Sequence, residues 1–144
     1  GSDMVFSMEC SNGSLFVVCS SGVKLLDIAS GDITAEAGSV KTVMQIPGGS
    51  VRSVLFKDSS GSEVLTVYDD TLEASAALAL SDVTRVRSSG SALYVLAGRE
   101  LTRYDGTLSE VSITELDDDY SDMIVIGGNA YLLGYNKVQL QALS

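Results

Sequence analysis

Residues 92–113 read ALYVLAGRELTRYDGTLSEVSI, and this stretch decides the fold. Two apolar runs, Leu93-Tyr94-Val95-Leu96 and Leu101-Thr102-Arg103-Tyr104-Asp105, flank Gly98. A short turn, Asp105-Gly106-Thr107, then leads into Leu108-Ser109-Glu110-Val111-Ser112-Ile113, where apolar and polar residues alternate. Alternation with period two belongs to a strand with one buried face, and Asp and Gly together punctuate turns. The stretch predicts three short antiparallel strands in succession.

Working outward, the same pattern returns along the chain. Asp3-Met4-Val5, Thr42-Val43-Met44, Asp82-Val83-Thr84 and Asp122-Met123-Ile124 each open an apolar segment. From positions 3, 42, 82 and 122 the steps are 39, 40 and 40 residues. A turn marked by Gly or Asn follows each: Asn12-Gly13, Gly48-Gly49, Ser89-Gly90 and Gly127-Gly128-Asn129. Second segments come next, Leu15-Phe16-Val17-Val18, residues 51–56, residues 93–96 and Ala130-Tyr131-Leu132-Leu133. Third segments end on Asp27, Asp69 and Asp105 in three copies, and the fourth copy has Val138-Gln139-Leu140-Gln141. Ile33-Thr34-Ala35-Glu36-Ala37 is a clean alternating fourth segment. Leu72 to Leu80 has the Ala and Leu content of a helix, but its place in the repeat assigns it to a strand.

The unit is thus four short antiparallel strands in about 40 residues, with two apolar faces that one unit cannot bury alone. We read the fold class as all-β: four consecutive four-stranded antiparallel propeller-type blades, the last lacking its outer strand. The chain is one repeat domain, residues 1–144, with blades at about 3–39, 40–80, 81–119 and 120–144. Gly1-Ser2 reads as a cloning remnant. A last blade without its outer strand suggests a half-propeller from a longer protein, or else a small propeller. An open half exposes apolar blade faces, so the expected partner is a second copy completing a ring, or the missing half of the parent.

The segment Leu26-Asp27-Ile28-Ala29-Ser30-Gly31-Asp32 resembles the blade signature of quinoprotein-dehydrogenase-like and WD40-like β-propellers, and Ala92 to Gly98 looks like their second strand. The resemblance covers nearly the whole chain and implies the fold. The chain has no Trp, so the tryptophan docking and cofactor floor of quinoprotein enzymes have no counterpart, and the resemblance carries over no catalytic residue and no cofactor. It also implies a bacterial protein working outside the cytoplasm.

The composition narrows the function. Asp and Glu number 19 against 9 Lys and Arg, a net charge of -10, which repels nucleic-acid backbones and anionic lipid. No apolar run approaches the ~20 residues of a membrane-crossing helix. There is no His, which removes Ser-His-Asp and Cys-His chemistry and imidazole metal sites. Cys10 and Cys19 read as two small buried apolar residues. A two-residue turn at Asn12-Gly13 sets Cys19 opposite Phe6, four positions along the ladder from Cys10, too far for a bridge.

Candidate contact residues cluster near the start of the fourth blade. Asp117, Asp118 and Asp119 stand beside Tyr120, and Tyr135 lies in a loop expected on the same end of the propeller. Clustered carboxylates suggest Ca²⁺, but Asp122 stands where a calcium loop needs Gly, and Gly128 where it needs Glu, so we expect a solvated loop and no metal. The recurring Asp27, Asp69 and Asp105 are expected to hold turns. Arg85 and Arg87 share one side of a strand and are expected to pair with carboxylates. The expected function is a non-catalytic scaffold binding a protein or polysaccharide ligand at a loop face. The alternative is half of a quinoprotein-like or lyase-like enzyme whose active residues lie elsewhere.

Overall fold

The computed structural model of the chain describes residues 3–37 and 42–143. The suggested remnant Gly1-Ser2 lies outside these, as does the expected junction between the first two blades. The described residues form strands and turns with no helix, as four separate antiparallel sheets. Blade 1 holds β1 (Val5–Ser11), β2 (Ser14–Cys19), β3 (Gly22–Asp27) and β4 (Ile33–Ala37). Blade 2 holds β5 (Thr42–Gln45), β6 (Ser53–Lys57), β7 (Glu63–Tyr68) and β8 (Ala74–Leu80). Blade 3 holds β9 (Val83–Ser89), β10 (Ala92–Ala97), β11 (Glu100–Tyr104) and β12 (Glu110–Glu115). Blade 4 has three strands, β13 (Asp122–Ile126), β14 (Asn129–Leu133) and β15 (Val138–Ala142). Within each sheet the strands follow chain order.

The turn chemistry explains the register. Asn12 and Gly13 both take positive φ, 50° and 77°, as a two-residue hairpin turn of the primed type requires. The turn pairs Ser11 with Ser14 and Cys10 with Leu15. A bulge between Val5 and Ser7 sets Val5, rather than the expected Phe6, opposite Cys19. Both cysteines are free. Cys19 is buried and its thiol donates to the Gly22 carbonyl at 3.2 Å, but Cys10 is exposed, because it lies on the face of β1 that no other blade covers. The helix-like segment forms strand β8, pairing Leu65 with Leu78 and Val67 with Ala76.

Alternation sends successive side chains of each strand to opposite blade faces, so the core forms between blades and not within them. Phe16, Val18, Val23 and Leu25 of blade 1 meet Val54 and Phe56 of blade 2. Leu55, Leu65 and Val67 of blade 2 meet Val86, Leu93 and Val95 of blade 3. Tyr94, Leu96 and Leu101 of blade 3 meet Met123, Ala130 and Leu132 of blade 4. Each fully buried Leu, Val or Phe contributes roughly 1.5–3 kcal/mol. Side chains also tie the blades through backbone groups. The Gln45 amide donates to the Thr84 carbonyl at 3.1 Å and accepts from Val86 N–H at 2.8 Å, binding β5 to β9. Arg87 Nε donates to the Met123 carbonyl at 2.9 Å, binding β9 to β13.

Candidate functional site

Two ends of the molecule carry loops. In blades 1 to 3 one end has the first and third turns and the other has the second turn and the link to the next blade; the two turns of blade 4 follow the same order. The expected contact residues are on the second end, and the structure brings them together. Asp119, Tyr120 and Tyr135 line one shallow pocket with Ser121, Leu133 and Gly134. Tyr135 is fully exposed. Tyr120 is not a surface tyrosine: its ring is buried among Leu96, Leu101 and Leu132. Its hydroxyl donates to Asp117 Oδ1 at 2.7 Å, which holds the Asp117 carboxyl below its ordinary value and raises the tyrosine.

The acidic loop is neutralised from within the chain. Lys137 Nζ lies 3.5 Å from Asp118 and 3.8 Å from Asp117, and 5.3 Å from the centre of the Tyr120 ring. Arg99 Nε stands 3.7 Å from Asp119. Arg85 and Arg87 both reach Asp122 Oδ1, at 2.8 and 3.3 Å. Four cations therefore answer the acids of residues 117–122, and this offset leaves little unsatisfied charge for an added ion. Among the described residues no group of three or more His, Cys, Asp or Glu side chains is placed to hold a metal.

The recurring aspartates hold turns. Asp69 Oδ1 accepts from Thr71 N, Thr71 Oγ1 and Glu73 N at 2.8–2.9 Å. Asp105 repeats this with Thr107 and Ser109 at 2.7–3.0 Å, and Asp27 accepts from Ala29 N and Ser30 N at 2.8 and 3.0 Å. Asp58, in the turn between β6 and β7, does the same with Ser60 and Ser62. In each of Asp58, Asp69 and Asp105 the neighbouring hydroxyl lowers the carboxyl below its ordinary value.

The first end of the molecule holds a cleft that sequence reasoning missed. It holds about 770 Å³ along blades 1 and 2 and reaches Gly106 of blade 3, with Glu9, Ser50, Arg52, Tyr68 and Asp70 among its other lining residues. Gly48 and Gly49, at φ 73° and 84°, turn the chain so that Arg52 enters β6 from beside the cleft. The Arg52 side chain is only 12% exposed and lies over the Phe16 ring at 5.6 Å. Its Nη1 approaches the exposed Asp70 carboxylate to 3.9 Å. Burial raises the Tyr68 hydroxyl to about 12, so it stays a neutral donor. The available signal was a cation, Arg52, set between Val51 and Ser53 at the start of a mainly apolar stretch, residues 51–56. The lining of the cleft comes from three blades, which a local reading cannot join.

No family model matches the sequence, and no curated protein matches it either. Solved structures do match. BamB from Moraxella catarrhalis superposes with a TM-score of 0.59 at 15% identity, over 93% of this chain and 41% of that one. Hsv2 of Kluyveromyces lactis, with its loop 6CD replaced by a Gly-Ser linker, gives 0.59 at 10% identity over 99% of this chain and 50% of its own. The computationally designed Ika4 protein gives 0.63 at 13% identity over 98% of this chain and 92% of its own. The chain spans 41% and 50% of these two natural proteins, and it has the β-propeller fold.

Proposed function

We propose that the chain is a non-catalytic β-propeller scaffold that binds a protein or polysaccharide ligand bearing a carboxylate, in the cleft between blades 1 and 2. The observation that carries this reading is the Arg52 guanidinium, a cation only 12% exposed in the lining of that cleft, whose ion pair with Asp70 is long at 3.9 Å. A guanidinium held by so long a contact gains from a ligand carboxylate that forms a shorter charge-assisted bond. Ser50 and Tyr68 add neutral polar groups to the same lining, and the Glu9 and Asp70 carboxylates in it admit a ligand acid only where Arg52 offsets them. The reading favours the end opposite the acidic loop, where Lys137 and Arg99 already occupy the carboxylates.

The test is calorimetric titration at low salt with acidic peptides and uronate oligosaccharides. Binding by at least one of them, abolished in Arg52→Met and kept in Tyr135→Ala, is the expected result. Binding that survives Arg52→Met but is lost in Tyr135→Ala moves the site to the other end and overturns the assignment. Failure of every probe overturns the ligand class.

A further inference from the structure

We infer that the outer face of blade 4 docks on the outer face of blade 1 of a second copy, twice over, so that two chains close one eight-bladed ring. The inference does not depend on the ligand cleft.

The repeat itself shows that blade 4 lacks a neighbour. Tyr94, Leu96 and Leu101 in blade 3 point at blade 4 and are 5%, 0% and 2% exposed. The register places Tyr131, Leu133 and Val138 at the corresponding positions of blade 4, since Leu96 pairs with Leu101 as Leu133 pairs with Val138. There they are 38%, 47% and 67% exposed. Ile124 and Leu140, which share the row of Tyr131, extend the same open face. These residue types in this pattern are the leading half of a blade-to-blade interface without its other half.

Blade 1 carries the matching half. Phe16, Val18, Val23 and Leu25 face blade 2, so alternation turns Met8, Leu15, Val17 and Leu26 the other way. Val17 is already buried within its own blade, so the open part of this face is Met8, which is well exposed, with Leu15 and Leu26, which are half-buried with no blade against them. The two open faces differ, so pairing one with the other is a head-to-tail contact, and such contacts form a ring only when the rotation closes. Four blades match 41% and 50% of the two natural propellers above, so a second copy is an arc of the size that would complete such a ring. Eight blades lie within the range that propellers adopt. That a designed chain is matched over 92% of its own length shows that four such blades also occur as an entire chain.

Light scattering on a sizing column tests this, using the chain and the single variants Leu133→Glu and Met8→Glu. Both positions are exposed in the single chain, so circular dichroism should show both variants folded. The expected mass is twice 15.1 kDa, about 30 kDa, falling to the single-chain mass in either variant. A monomeric parent, or a mass that climbs with concentration past two chains, overturns the proposal. So does a dimer broken by Leu133→Glu but not by Met8→Glu, which would pair blade 4 with blade 4. Should a variant lose its fold, protection of the exposed Cys10 thiol in the parent, relieved on dilution, decides the same question.

Discussion

Leu72 and Leu108 sit at φ 65° and 61°, where a leucine backbone costs roughly 1–2 kcal/mol, yet both side chains are buried between blades. They occupy the same place in the turn after the third strand, three residues beyond Asp69 and Asp105, whose carboxylates fix the turn. Burial holds the strained backbone, and the aspartate makes the strained turn the best available one. Leu108→Ala removes the burial and keeps the strain, so it should cost about 2–5 kcal/mol. Leu108→Gly relieves the strain and should equal or exceed the alanine variant by up to about 1 kcal/mol, reversing their usual order. Urea unfolding midpoints of the two variants check this. The aspartates also set an acid limit. Asp58, Asp69 and Asp105 have folded values below the ordinary 3.8, so the unfolded chain binds protons first as pH falls. Their contribution is complete above about pH 5 and is lost as the pH drops through the folded values. The urea midpoint should therefore fall between about pH 5 and about pH 2, and the fall should shrink in the double variant Asp69→Asn, Asp105→Asn.

At the scale of the element, β8 shows how position overrides composition. Ala74 to Leu80 favours a helix in isolation, but Ala76, Leu78 and Leu80 need a period of two to reach the side of blade 2 that meets blade 3. Ala77→Thr, at an exposed strand position, should stabilise the fold by up to about 1 kcal/mol, whereas a helical segment would be destabilised. The urea midpoint reads the sign. Strands of this kind were legible because their signals are local: Asn12-Gly13 fixes a turn and Ile33 to Ala37 alternates. The bulge near Val5 was not legible, because it depends on how β1 settles along β2. Tyr120 reads as an exposed loop aromatic in sequence, and only the meeting of β10, β11 and β14 around it reveals a core residue. The Arg52 cleft was invisible for the same reason: Glu9, Arg52 and Gly106 lie in three different blades.

At the scale of the whole molecule, stability is a sum along a row of blades, because each blade touches only its neighbours. In a single chain the middle interface has cover on both sides, while β15 and β1 belong to end blades with one open face each. The same leucine position then has two values. Leu96→Ala opens a cavity in a complete interface and should cost about 2–5 kcal/mol at any concentration. Leu133→Ala, its counterpart on the open face, should cost less than about 1 kcal/mol when the chain is alone and more when a second copy covers it. Hydrogen exchange separates these cases strand by strand. A lone arc should exchange fastest in β15 and slowest in β6 and β10, with rates independent of concentration. A closed ring has no end blades, so β14 should approach the protection of β10 at high concentration and lose it on dilution, while β10 changes little. If β14 stays unprotected at every concentration, its open face has no second copy upon it, and the row of four blades is itself the folded unit.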